Sequence, residues 1–176
     1  ILRSPEIFNQ ADYIIIESTY GDSLHEMFKE TDEALLEHIQ ETCIENKGKL
    51  IIPAFSVGRT QELLFALNKL EVEGKLPDLP YFVDSPLSTK TTEIVKQHSN
   101  LYNKHVVELM KKDKDPFQFK GLKFITDVED SKHINTRKEP MVIISASGMA
   151  EAGRVKHHIA NNIENSRNKI LMVGFC

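Results

Sequence analysis

Apolar residues along this chain fall in short runs separated by amphipathic stretches. Asp12-Tyr-Ile-Ile-Ile-Glu17 is an apolar run closed by a carboxylate and predicts a buried strand, with turn chemistry in Ser18-Thr-Tyr-Gly-Asp22. Residues 26–46 place Met27, Leu35, Ile39 and Cys43 among charges. This predicts an amphipathic helix that starts near Thr31 and is closed by Asn46-Lys-Gly48. Lys49-Leu-Ile-Ile52 is the next strand, stopped by Pro53. Thr60 to Leu70 predicts a second helix, with Leu63, Leu64 and Leu67 on one side.

The pattern then repeats. Tyr81-Phe-Val-Asp84 reads as a strand, followed by Ser85-Pro-Leu-Ser88 and a helix through about Lys96. Residues 100–120 read as helix and loop, Leu122-Lys-Phe-Ile125 as a strand, and Ser131 to Asn135 as a short helical turn. Pro140-Met-Val-Ile-Ile-Ser145 is a strand, Ser147-Gly-Met149 a loop, Gly153 to Ile163 a helix, and residues 169–175 a last strand. Continuous apolar strands alternating with helices predict an α/β fold, a mostly parallel sheet with helices on both faces. Ligands in such sheets bind beyond the carboxyl ends of the strands.

Composition narrows this only a little. The 176 residues are 40% hydrophobic and 27% charged, a mix able to bury a core. No apolar run approaches the ~20 residues of a membrane-spanning helix, and no signal peptide is visible. The formal net charge of −4 excludes a uniformly basic nucleic-acid binder, so any such contact has to be a local patch. The two cysteines, Cys43 and Cys176, have no ligand spacing, and a reducing, cytoplasmic setting is the expectation. The chain opens on Ile1 and closes inside an apolar run, so both ends are expected to continue in a longer polypeptide.

The strand ends carry the candidate chemistry. They include Glu17 after the first run, Ser56 and Arg59 after the second, Asp84 and Ser85 after the third, and Ser147, Gly148, Met149, Gly153 and Arg154 after the run at 140–145. Hydroxyls, glycines and arginine suit a phosphate-bearing ligand. Each also has an ordinary reading: Glu17 as a surface charge, Ser85-Pro86 and Ser147-Gly148 as cap and turn. Among the histidines, His25, His38, His98, His105 and His133 read as surface residues. His157 is expected to be exposed and His158 to lie near the edge of a buried face set by Val155, Ile159 and Ile163. There is no HxH, no HExxH and no acidic triad, hence no metal-ligand set.

Four segments together match a family. Asp12-Tyr-Ile-Ile-Ile-Glu-Ser-Thr-Tyr-Gly-Asp22 with His25, Ile51-Ile-Pro-Ala-Phe-Ser-Val-Gly-Arg-Thr-Gln-Glu62, Tyr81-Phe-Val-Asp-Ser-Pro-Leu87 and Ser145-Ala-Ser-Gly-Met-Ala-Glu-Ala-Gly-Arg-Val-Lys-His-His-Ile159 occur in the family's order. They resemble the β-CASP nucleases of the metallo-β-lactamase superfamily, in their bacterial and archaeal exonuclease type, related to the endonuclease that cuts messenger RNA 3′ ends.

The resemblance implies a Rossmann-like β-CASP domain over residues 23–176. Residues 1–22 would be the last strand and linker of the metallo-β-lactamase portion. It implies a zinc-dependent ribonuclease that hydrolyses RNA phosphodiester bonds, with two zinc ions in the full-length enzyme and none in this fragment. The fragment, expected to be inactive alone, would form one wall of the RNA cleft. Glu17 would support catalysis by holding a histidine beyond Cys176. Ser56, Arg59, Asp84, Ser85, Ser147, Gly148, Met149, Gly153, Arg154 and His157 would meet substrate. Partners would be single-stranded RNA, the missing metallo-β-lactamase domain of the same chain and a second copy in a homodimer, with no membrane. The alternative is a non-catalytic phosphate- or nucleotide-binding α/β module. The lack of GxGxxG after the first strand counts against it.

Overall fold

A computed structural model describes residues 1–22 and 31–174. Its elements are α1 (Thr31–Ile39), β1 (Lys49–Pro53), α2 (Arg59–Val72), β2 (Tyr81–Asp84), α3 (Pro86–Gln97), α4 (Lys104–Met110), β3 (Leu122–Ile125), α5 (Val128–Thr136), β4 (Met141–Ser145), α6 (Val155–Asn162) and β5 (Lys169–Ile170). A π-helical turn, Gln40–Glu45, continues α1. The five strands form one sheet in the order β3-β2-β4-β1-β5, and every pairing is parallel. None of the helices among the described residues is long and apolar enough to cross a membrane.

Local chemistry sets the helix starts. Ser85 caps α3 by accepting from the Ser88 N–H, with Pro86 in the first turn where its missing N–H costs nothing. Asn103 caps α4 through Val106, and Asp127 caps α5 through Glu129 and Asp130. At α2 the Gln61 side chain reaches back to accept from the Gly58 N–H at 2.8 Å.

Strand residues alternate between two cores, as the two-residue period of a strand requires. Leu50, Ile52, Tyr81, Val83, Val142 and Ile144 pack with Leu63, Leu64 and Leu67 of α2 and with Leu35 and Ile39 of α1. Ile51, Phe82, Met141 and Ile143 face the other way, onto Ile134 of α5 and Val155 of α6. The sheet is therefore covered on both sides, which explains why its strands read as unbroken apolar runs.

Three expectations need correction. Residues 12–17 form no strand. Tyr13, Ile14, Ile15 and Ile16 are all exposed, because no described strand lies beside them to pair with. The last strand is short: only Lys169 and Ile170 pair with β1, although the Leu171 N–H still reaches the Ile51 carbonyl at 2.9 Å. The helical turn at 131–135 is instead a nine-residue helix, α5, because the Asp127 cap starts it earlier. His25 and Met27 of the expected 26–46 helix, and Phe175 and Cys176 of the last strand, lie outside the described residues.

Candidate functional site

Strand order locates the site. β4 sits between β1 and β2. The chain leaves β1 and β2 for α2 and α3, which belong to one core. It leaves β4 for α6, which belongs to the other. Connections that depart to opposite faces open a crevice at the carboxyl ends of adjacent strands. The register puts Pro53, Asp84, Ser145 and Ile125 level across that edge. The loops that follow, 54–58, 85 and 146–154, surround the crevice.

Behind the edge lies a buried polar hub. Asp84 is fully buried. Its Oδ1 accepts from Arg154 Nη1 at 2.6 Å, and its Oδ2 accepts from Ser131 Oγ at 2.5 Å and His158 Nε2 at 2.6 Å. Burial alone raises the Asp84 pKa, but the hydrogen bonds from His158, Ser131 and Arg154 outweigh it and hold the carboxyl below its ordinary value. Arg154 also donates to the carbonyls of Ile125 and Thr126. His158 Nδ1 lies 2.9 Å from Asn135 Oδ1, to which Asn162 Nδ2 also donates. The hub thus ties the ends of β2 and β3 to α5 and α6.

Two of the residues expected to meet substrate take part in this hub: Asp84 is fully buried, and Arg154, partly exposed, gives three of its five N–H groups to one carboxylate and two carbonyls. His158 is likewise fully buried rather than at a face edge. Val155, His158 and Asn162 are all buried on α6, a three-then-four spacing that turns one face to the sheet. That spacing was the available signal for His158. Nothing in the sequence singled out Ser131 or Asn135, since their partners are distant along the chain. Of the other histidines, His98, His105, His133 and His157 are exposed and His38 is half-buried.

The loops around the crevice are built differently. Ser56 Oγ and Ser85 Oγ meet at 3.3 Å, and both residues are buried. Gln61 Nε2 donates to the Ser56 carbonyl and to Thr92 Oγ1, so α2 and α3 are locked together beneath them. The 146–154 loop is closed by Ser147 N–H to the Ala152 carbonyl, Ala150 N–H to Ser147 and Val155 N–H to Ala146. Gly153, at φ +79°, brings the chain so close that a Cβ would stand 2.4 Å from the Ala146 carbonyl oxygen. Gly148 is buried against the Phe55 ring. Ser147 is half-buried, Met149 and Phe55 are exposed, and Arg59 pairs with Glu62 in the exposed first turn of α2. Phe55 was not among the expected site residues.

Glu17 stands apart. Its carboxylate accepts from the Thr19 N–H in its own turn, which holds its pKa below the ordinary value, and the residue is exposed. No described hydrogen bond ties it to the strand-end loops. Among the described residues, no group of three or more His, Cys, Asp or Glu is placed to hold a metal ion.

The profile of the Beta-Casp domain matches residues 60–176. The chain belongs to the β-CASP family. Its relatives include ribonuclease TTHA0252 of Thermus thermophilus, 32% identical over 99% of this chain and 40% of that protein. An RNase J-like protein of Methanocaldococcus jannaschii is 34% identical over the same shares of the two chains. The endoribonuclease ysh1 of Schizosaccharomyces pombe is 30% identical over 93% of this chain and 21% of its own length. The β-CASP chain therefore spans less than half the length of the curated relatives it matches. The matched region contains the whole hub, Asp84, Ser131, Asn135, Arg154 and His158, together with Ser85 and Ser147 to Gly153. Glu17, Phe55, Ser56 and Arg59 precede it.

Proposed function

We propose that this chain is the β-CASP portion of a zinc-dependent ribonuclease that hydrolyses RNA phosphodiester bonds, and that its strand-end edge is one wall of the RNA cleft. One observation supports this reading above the others. The loops around the crevice offer the half-buried Ser147, closely approached backbone and the exposed Arg59 cation, while the Asp84–His158 pair is buried behind them and no metal-holding group of His, Cys, Asp or Glu occurs among the described residues. Such an edge holds and orients a phosphate chain and leaves the chemistry to another part of the polypeptide. The names of the relatives, ribonuclease and endoribonuclease, agree with that division of labour.

Zinc, when bound in such enzymes, would polarise the phosphate and activate water. The described residues here do not fit a zinc site, so its ligands would lie elsewhere in the polypeptide. Residues 12–17 point to where that other part joins. Four consecutive apolar side chains are exposed, so both faces of the extended segment are apolar. A strand of that kind belongs inside a sheet covered on both sides. In our reading, residues 1–22 complete the sheet of a metallo-β-lactamase domain, and Glu17 then holds a histidine of that domain.

The test is to prepare the longer polypeptide and measure its zinc content and its cleavage of labelled single-stranded RNA. Zinc-dependent cleavage that falls in a Glu17→Gln variant is expected. A zinc-loaded polypeptide that leaves RNA intact would overturn the reading.

A further inference from the structure

Phe55 follows β1 at the strand-end edge, and it is 46% exposed. A lone exposed phenylalanine needs no explanation. What surrounds this one does. A Cβ placed on Gly148 would stand 2.7 Å from Phe55 Cδ2, 2.9 Å from Cε2 and 3.0 Å from Cγ. These are three successive ring atoms at nearly equal range. An approach in the ring plane would leave the outer two clearly farther than the middle one. Gly148 therefore lies over one face of the ring, and the exposure of Phe55 belongs to the opposite face and the rim.

Both halves of this stack are held firmly. The Phe55 carbonyl accepts from the Thr60 N–H at 3.2 Å and from Thr60 Oγ1 at 2.8 Å, while the preceding Ala54 N–H donates to the Ser145 carbonyl at 3.0 Å. Gly148 sits in the loop closed by the Ser147–Ala152 and Val155–Ala146 hydrogen bonds. That loop leads into α6, which the Asp84–His158 contact fixes to β2. The ring is backed by a buried glycine that admits no side chain, and nearly half of it is exposed.

We propose that the open face of Phe55 is a stacking platform for one nucleobase of a single-stranded RNA, with Gly148 as its support. The inference rests on the ribonuclease reading above and deepens it. The neighbouring chemistry suits a nucleotide better than a purely apolar ligand. The Ser147 hydroxyl adjoins Gly148, and the exposed Arg59 guanidinium lies four residues beyond Phe55, at the start of α2. A flat apolar face whose flanking segments carry a cation and a hydroxyl matches a base carried on a sugar-phosphate chain. Every base has a π-face, so the platform is tolerant of sequence.

The test uses this chain and two dye-labelled strands of equal length, a short oligouridylate and an abasic ribose-phosphate strand, with binding read by fluorescence anisotropy. The oligouridylate is expected to bind roughly fivefold or more tightly than the abasic strand. Phe55→Leu should abolish that difference without changing the abasic affinity, and Phe55→Tyr should keep it. A strand carrying 2-aminopurine should lose fluorescence on the parent and not on Phe55→Leu. Gly148→Ala should act like Phe55→Leu, and because Phe55 is exposed, the leucine variant remains decisive even if the alanine variant does not fold. Equal binding of the two strands, or a Phe55→Leu chain that binds as the parent does, overturns the platform alone. Failure of both strands to bind overturns the ribonuclease reading and the platform with it.

Discussion

His158 Nε2 stands 2.6 Å from Asp84 Oδ2, with both side chains fully buried, so a residue of α6 and the last residue of β2 meet across 74 positions of sequence. An ionised carboxylate only accepts hydrogen bonds, so the shared proton belongs to the histidine. Arg154 and Ser131 donate to the same carboxylate, so α5, α6 and β2 meet at it.

Removing that carboxylate's charge should therefore be costly. Asp84→Asn leaves the partly buried Arg154 and the fully buried His158 facing a neutral amide, and breaking a buried pair from one side costs about 3–5 kcal/mol. Ser131→Ala removes only one of the donors and should cost about 1–2 kcal/mol. Urea unfolding of the chain measures both. Equal midpoints for the parent and Asp84→Asn would show that the hub carries little of the stability.

The same carboxylate makes stability depend on acid. Its folded pKa lies below its unfolded one, because the hydrogen bonds from His158, Ser131 and Arg154 outweigh its burial. The unfolded chain therefore takes up the proton first as pH falls. The Asp84 contribution is complete above the unfolded value of about 3.9 and is lost as pH drops through the lower folded value. Urea midpoints of the parent and Asp84→Asn should differ by a constant amount from neutral pH down to the unfolded value and converge as pH falls from there through the folded one. A gap that shrinks already near neutral pH would assign the dependence to another group.

How much of this was legible in the sequence follows from the range of each interaction. The runs 49–52, 81–84 and 141–144 became strands because each is buried on both sides, 122–125 became the edge strand with Lys123 exposed, and their alternation with helices fixed the parallel sheet. The run at 12–17 has the same composition and forms no strand, since pairing depends on a neighbour that composition does not reveal. Ser56 and Ser85 were picked out by their strand-end position, and they do meet. Asp84 and Arg154 were picked out by the same rule but satisfy each other, because a residue at a strand end can turn inward as well as outward. Phe55 stands at the same strand end as Ser56 but was not among the expected site residues. Its distinguishing feature is Gly148, 93 positions later, over its ring.

Two glycines separate backbone strain from steric overlap. Gly58 has φ +84°, and a Cβ there would meet nothing within 4 Å, so Gly58→Ala should cost about 1–3 kcal/mol from conformation alone. Gly153 adds to its own positive φ the overlap with the Ala146 carbonyl. Gly153→Ala should therefore be the more damaging change by thermal unfolding. The reverse order would mean that the 146–154 loop relaxes to admit a methyl group.

The two arginines of the edge should part company in solution. Arg59 has a side chain 42% exposed and, among the described residues, pairs with Glu62 three residues along its own helix, an arrangement worth a few tenths of a kcal/mol at the surface. Arg59→Ala should leave the urea midpoint nearly unchanged. If the edge holds RNA, removing this cation also removes one phosphate contact, and the log–log slope of affinity against salt should become shallower by about 1. Arg154 has the opposite profile. Its side chain is 19% exposed and is committed to Asp84 and to the carbonyls of Ile125 and Thr126. Arg154→Gln should lower the midpoint by leaving the buried Asp84 short of a donor, and leave the salt slope of the remaining folded chain where it was. Anisotropy titrations of single-stranded RNA across a salt series, paired with urea unfolding of each variant, give both quantities for both residues. A steeper loss of salt slope in Arg154→Gln than in Arg59→Ala would mean that Arg154 leaves the hub when RNA arrives, and the assignment of the two arginines would have to be exchanged.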